Sequence, residues 1–367
     1  MPLQELTLKN FRNYESLTLE FSPRVNIFFG RNAQGKTNIL EAIALLCLGR
    51  SFRTRKDEEF IRWQQESCYL KGSFQQQSYS NVIEMGIGSQ EKRIKLDGQV
   101  VKNQELFGRV PVVLFGPDDL QIAKGGPQHR RDFLDFYLAQ IEPNYRWIYY
   151  HYHRVLQQRN RLFKVGIRSG DELEIWDEQL IEKGVTVIRY RLNMLAAIRD
   201  PVRQAHQDIS GHSESLGLQY LSFNNQPIQT WDEAGLREQF RTELKRLRRQ
   251  EMERQITLTG PHRDDLRLTL GDQVELRNFG SQGQQRTAVL ALKLGLIEKI
   301  RESRGDYPIL LLDDVMAEFD DHRKIQLLSH LFGSTQTILT STNRDDFPVI
   351  NQETRLYEVK QGVVNVL

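Results

Sequence analysis

Apolar side chains along this chain change their spacing several times, and each change marks a different kind of element. From Leu3 to Phe21 apolar and polar residues alternate on either side of Lys9-Asn10-Phe11-Arg12-Asn13-Tyr14, which predicts two strands joined by a turn. Val25–Phe29 is a short apolar run of the kind that forms a buried strand. Asn38–Leu48 predicts a helix stopped by Gly49. Between Cys68 and Leu114 short alternating runs recur, with a hairpin signal at Asp97-Gly98, so an antiparallel β region is expected.

The texture changes at Gly116-Pro117-Asp118, and from there to about residue 255 the period is mostly helical. Ile148, Tyr152, Val155, Leu156, Leu162 and Phe163 trace one helix. Leu173, Trp176, Leu180, Ile181, Val187, Ile188, Leu192 and Leu195 trace a second, until Pro201 bends or ends it. Gly166–Gly170 reads as the reversal of an antiparallel helical hairpin. A strand-like Leu216–Phe223 and a helix at Arg237–Arg254 follow; the mixed charges of that helix suit a solvated face. Strands return at Ile256–Leu258, Leu266–Leu270 and Val274–Leu276, before a long apolar helix, Thr287–Ile300, and an apolar strand, Ile309–Leu312.

Composition narrows the class. With 367 residues, 39% hydrophobic and 27% charged, the chain suits a soluble cytoplasmic protein of two domains, or of one domain with a large insertion. It offers neither a membrane-spanning run nor a secretory signal pattern. Cys47 and Cys68 suit a reducing compartment, and Cys47 reads as a small core residue. A net charge of +2 means that any binding of nucleic acid rests on local patches.

The chemistry starts at Gly30-Arg31-Asn32-Ala33-Gln34-Gly35-Lys36-Thr37, which fits the phosphate-loop pattern between a strand and a helix. The glycines let backbone N–H groups turn inward toward phosphate oxygens. Lys36 brings a compact charge to the β- and γ-phosphates, and the Thr37 hydroxyl can ligate Mg²⁺. Asp313 and Asp314 end the apolar strand Ile309–Leu312. Such a pair either caps a strand or, beside a phosphate loop, holds Mg²⁺ through Asp313 and polarises the attacking water through Asp314. Ser281-Gln282-Gly283-Gln284 opens another helix and offers it to an anion. A second anion site makes sense if it meets the γ-phosphate of ATP held by a neighbouring subunit. Arg50, Arg53, Arg55 and Lys56 form a basic loop after the first helix, either solvated or in contact with DNA. Arg12 either reaches a nucleotide or is a solvated turn residue.

These segments, with Ala317-Glu318-Phe319-Asp320, resemble the Walker A, signature, Walker B and D-loop elements of ABC-type ATPase heads. Within that class the chain resembles the RecF family of bacterial recombination mediators. The likeness rests on Phe11-Arg12-Asn13, Gly49–Arg53, Gly260-Pro261-His262-Arg263 and above all Pro117-Asp118 followed by Lys124–Asp135. The resemblance implies an α/β fold: an ABC-type P-loop ATPase head, with a mixed sheet plus an antiparallel β region, made of residues 1–116 and 256–367. A mainly helical lobe, residues 117–255, is inserted in it. It also implies an ATP- and Mg²⁺-dependent homodimer with weak DNA-dependent ATPase activity, binding duplex, gapped and junction DNA. RecR, acting with RecO, is the implied partner in loading recombinase, with a role in the SOS response. Arg130-Arg131 would serve DNA or the dimer, or make local ion pairs. Phe319 stands where the family usually has Leu, and Asp314 where transporter ATPases have Glu, which suits slow hydrolysis. No histidine follows Ile338–Asn343, where Thr342 or Asn343 stands in for the switch residue. A transporter ATP-binding subunit is the alternative, but its signature would lie nearer the phosphate loop and read Leu-Ser-Gly-Gly-Gln. An ATP-regulated nuclease would need a further acidic domain after the last strand.

Overall fold

A computed structural model describes residues 2–76, 79–89, 91–166, 170–211, 214–228, 232–271, 274–316, 324, 326, 335–347 and 353–367. They divide into two compact units, residues 1–119, 208–212 and 296–367, and residues 120–207 and 213–295. Residues 256–295, expected with the head, thus group with the helical unit.

The first unit contains two six-stranded sheets. One is antiparallel, in the order Tyr14–Glu20, Leu3–Phe11, Ser67–Gln76, Tyr79–Gly88, Lys92–Leu96, Gln99–Val101. The other runs Val363–Val366, Thr354–Lys360, Val25–Phe29, Thr337–Ser341, Ile309–Leu312, Val112–Phe115, parallel throughout except for its terminal hairpin. Parallel strands covered on both faces need no alternation, which is why Val25–Phe29 and Ile309–Leu312 are buried at every position.

The helix Lys36–Leu48 packs against strands of both sheets. Ile39, Leu40, Ile43, Leu45, Leu46 and Leu48 are all buried, a gross hydrophobic contribution on the order of 10 kcal/mol. Its end is fixed by Gly49 at φ 68°, whose N–H donates to Leu45 O. The buried Gln336 amide ties Leu3 to Ser22, accepting from Leu3 N at 2.7 Å and donating to Leu3 O and Ser22 O, both at 2.8 Å.

The second unit sets helices around a four-stranded antiparallel sheet, Gln226–Pro227, Leu216–Ser222, Asp265–Leu270, Val274–Glu275. Its polar interior is unusual. Arg159 and Arg191 are wholly buried. Arg191 makes a two-pronged pair with Asp135 (2.9 and 2.8 Å) and also donates to Pro261 O; Arg159 binds Asp177 and Glu251, both at 2.7 Å.

One expectation is narrowed here and another changes. Of the two readings of Pro201, a bend or an end, the end is excluded: the helix Gly170–Ser210 runs through it. Packing on both sides of the proline holds it: Leu195, Ile198, Val202 and Ala205 are buried, and Gly295 approaches so closely that a Cβ there would sit 2.4 Å from Val202 Cγ2. Ile256–Leu258 is not a strand. Its amides are satisfied locally, Ile256 N by Glu251 O at 3.2 Å, and Thr257 N by Asn160 Oδ1 and Leu258 N by Glu251 Oε1, both at 2.7 Å, so it needs no strand partner. The helices Tyr145–Val165 and Gly170–Ser210 follow one another as expected, but residues 167–169 of their connection lie outside the described residues.

Candidate nucleotide site

The parallel sheet puts Gly30–Thr37 and Asp313-Asp314 at the same end, where the parallel strands Val25–Phe29 and Ile309–Leu312 finish. Thr337–Ser341 lies between their strands, with Leu339 beside Leu312 and Ser341 beside Phe29. Two glycines make the loop possible. A Cβ on Gly30 would lie 2.3 Å from Val359 O, and Gly35, at φ 112°, would bring one within 2.4 Å of Asn13 Nδ2. The turn Arg12-Asn13-Tyr14 braces the loop, Asn13 Nδ2 donating to Gln34 O at 3.0 Å and Tyr14 OH to Gly35 O at 3.0 Å. Arg31, Asn32 and Ala33 are exposed, and Lys36 is buried.

Lys36 Nζ donates to Gly30 O at 2.5 Å and to Arg31 O at 2.9 Å, spanning the loop's own carbonyls. Burial lowers its pKa, while the charges of Asp314 and Asp313 oppose that shift. Asp313 Oδ1 accepts from Thr37 Oγ1 at 2.9 Å and from Thr340 Oγ1 at 2.8 Å. Thr340 Oγ1 in turn accepts from Asp314 N at 2.9 Å, helping to hold Asp314 in a left-handed conformation at φ 54°. Asp314 Oδ1 is buried with no hydrogen-bond partner among the described residues. Its carboxyl pKa is raised, by burial first, with Asp313 and Asp346 adding to the shift and Lys36 opposing it.

An orphaned carboxylate oxygen beside a hydroxyl and a second carboxylate is an oxygen donor set for a hard cation. Among the described residues no cluster of three or more acidic, histidine or cysteine side chains could cage a metal alone. Magnesium is commonly held by one or two carboxylates together with substrate phosphates, so Thr37 and Asp313 fit it.

The signature segment belongs to the second unit. Ser281 Oγ accepts from Gln284 N at 3.2 Å, and Gln284 Oε1 accepts from Ser281 N at 2.7 Å. This is a reciprocal capping box at the start of the helix Gln282–Arg304. Gln284 Nε2 also donates to Glu214 at 2.5 Å. Ser281 and Gln282 are exposed and Gly283 is half-buried, so the helix start is presented to solvent with its dipole outward.

The basic positions separate. Of the readings open to Arg130, the local ion pair holds, against the DNA-contact assignment: its side chain is 4% exposed and clamps Asp265 at 2.7 and 2.9 Å, so its guanidinium is spent inside the fold. Arg131 is half-buried, donating to Asp264 O at 2.7 Å and to Gln128 at 2.9 Å. Arg50 lies over the Phe107 ring at 5.8 Å. Arg53 donates to Asn38 at 2.8 Å and reaches Glu41 at 3.3 Å, while Arg55 and Lys56 stay exposed. Arg12 is not a solvated turn residue: it forms a two-pronged pair with the buried Glu41 at 2.9 and 2.8 Å. On the helix Glu233–Arg254, exposed pairs such as Arg241–Glu238 and Arg249–Glu253 give the solvated face that its mixed charges predicted.

Sequence reasoning missed Thr340, Glu41 and Asp346. Thr340 could have been suspected from its place on the strand next to the acidic one. Glu41 carries a signal, a lone acid within an otherwise apolar helical run. Asp346 accepts from Ser341 Oγ and from Lys324 Nζ, the latter at 2.7 Å. Asn343 caps the short helix Arg344–Asp346 by accepting from Asp345 N at 3.2 Å. Ala317–Asp320 lies outside the described residues.

Sheet order, phosphate loop and acidic strand end together define an ABC-type ATPase head. A family profile, the RecF/RecN/SMC N terminal domain, matches residues 2–365. The DNA replication and repair protein RecF of an Exiguobacterium species is 40% identical over 99% of both chains. That of Halalkalibacterium halodurans is 41% identical over 99% of this chain and 98% of its own. A solved structure described as the recombination mediator protein RecF-ATP in the RecFOR pathway has 36% identity and a TM-score of 0.87, covering 100% of this chain and 97% of that one. An Smc head bound to the C-winged helix domain of ScpA, 15% identical with a TM-score of 0.61, shares the fold. The chain belongs to the RecF family, a family of DNA replication and repair proteins.

Proposed function

We propose that this chain is an ATP-dependent DNA-binding protein of recombinational repair and replication restart, acting as an ATP-gated homodimer at duplex, gapped and single-strand/duplex junction DNA. The observation that carries the reading is the cluster of Thr37, Asp313, Thr340 and Asp314 beside Lys36, with one Asp314 oxygen left unpartnered. Residues 30–37 receive the triphosphate, and Lys36 exchanges its carbonyl partners for phosphate oxygens. Thr37 and Asp313 would hold Mg²⁺, which when bound would supply charge neutralisation to the triphosphate. Asp314 accepts a hydrogen bond from the attacking water, its raised pKa matching it to a proton-accepting role. The short aspartate arm suits weak, DNA-dependent hydrolysis that resets the dimer.

The exposed helix start at Ser281–Gln284 supports a composite site in which one subunit's signature closes on the other's ATP. One chain would then offer both halves, the phosphate loop from its first unit and the signature from its second. Family membership supports RecR with RecO as partners in recombinase loading, a place in the SOS response, and a cytoplasmic location. Among the described residues no helix is long and apolar enough to cross a membrane.

Light scattering with ATP and gapped DNA tests this. ATP should drive dimerisation of the native protein, and Lys36→Met and Ser281→Arg should each abolish it. A Ser281→Arg protein that dimerises normally would refute the composite site.

A further inference from the structure

The helix Tyr145–Val165 has two unlike sides. Tyr145, Tyr152, Val155, Leu156 and Phe163 are buried. Trp147 and Tyr150 face outward, 60% and 57% exposed. Their rings lie 4.1 and 5.4 Å from that of His151, and the Arg154 guanidinium lies over Tyr150 at 5.9 Å. Arg161 and Lys164 are also exposed. Positions 147, 154 and 161 recur every two helical turns, so this aromatic and cationic row runs about 20 Å along one side. The helix contains no aspartate or glutamate. Arg154, Arg161 and Lys164 form no ion pair among the described residues.

We infer that this row is a docking surface for single-stranded DNA. An acid-free line of cations complements a phosphate backbone, and rings standing in water beside it offer stacking faces. Duplex DNA cannot use those faces because its own bases are stacked on one another; only unpaired bases can. The row would hold the unpaired strand of a junction. The inference rests on the DNA-binding reading proposed above and adds where that strand lies.

The test is fluorescence anisotropy on the full chain with ATP, using a labelled oligothymidylate and a blunt duplex of equal length. Trp147→Ala with Tyr150→Ala should weaken oligothymidylate binding by about tenfold or more. Duplex affinity and the melting temperature should stay as in the native protein, since both side chains are exposed. Arg154→Gln with Arg161→Gln should lower the slope of log affinity against log salt for the single strand by about 1.4. Native single-strand affinity in the aromatic variant, or an equal loss for duplex, would overturn the inference. So would a row that binds an acidic protein but no oligonucleotide. If the native protein binds the duplex and these variants change nothing, only this row is refuted; if it binds neither DNA, the proposed function falls as well.

Discussion

Glu41 sits within the helix that follows the phosphate loop, and its side chain is wholly buried. Its two oxygens accept from Arg12 Nε and Nη2 at 2.9 and 2.8 Å, from Ser51 Oγ at 2.6 Å, and from Arg53 Nη1 at 3.3 Å. Replacing it with Met leaves the Arg12 guanidinium against Phe60 with no counter-charge. Removing one partner of a fully buried pair costs about 3–5 kcal/mol. Arg12 is 18% and Arg53 44% exposed, so water takes over part of their solvation, and a loss of about 2–3 kcal/mol is expected. At about 3 °C per kcal/mol for a unit of this size, melting should fall by about 6–9 °C. Arg12→Met alone leaves the buried carboxylate only Ser51 and Arg53 as donors and should cost a similar amount. The double variant removes both charges and should recover most of the loss, because apolar replacement of a whole buried pair is nearly neutral. Thermal unfolding followed by circular dichroism, run as a double-mutant cycle, reads the coupling. A Glu41→Met protein that melts like the native one, or a double variant as unstable as the sum of the two singles, would refute the assigned role of the pair. Because the same helix begins with Lys36 and Thr37, nucleotide affinity should follow the stability order.

Two further outcomes concern pH. Burial raises the Asp314 carboxyl pKa, so the folded chain takes up that proton more readily than the unfolded one, and the stability this gives is lost as pH rises through the raised value. Nucleotide-free Asp314→Asn should therefore melt higher than the native protein at neutral pH and lose that advantage below the ordinary carboxyl range; a gap that ignores pH would contradict the assignment. In the helical unit, His262 Nε2 donates to Thr257 O at 3.2 Å, since a carbonyl can only accept, and its Nδ1 accepts from Tyr152 OH at 2.5 Å. Burial lowers the pKa of this ring to about 3, so below the ordinary value of 6.5 the unfolded chain binds a proton that the folded one refuses, and stability falls with pH at up to about 1.4 kcal/mol per unit. His262→Gln should flatten the melting-temperature profile between pH 6.5 and 4, and an unchanged slope would show that other groups carry the acid response.

The sequence by itself determined the parts whose chemistry is local. A phosphate loop is a run of eight residues between a strand and a helix, and once it is recognised two acids after an apolar strand can be read as its partner. The helix start at Ser281–Gln284 is likewise a local pattern, whose reciprocal capping bonds the structure then supplied. Only the tertiary structure decided what these parts meet. Sheet order puts Thr337–Ser341 between the loop strand and the acidic strand, and so makes Thr340 the link between Asp313 and Asp314. A charged side chain read in sequence looks the same whether it faces water or a buried carboxylate. Arg12, Arg53 and Arg130 took their roles from acids 29, 12 and 135 residues away. The physical reason is desolvation: once a chain reversal buries Glu41 or half-buries Asp265, the nearest guanidinium is drawn in to pair it, and no local pattern records which one that will be.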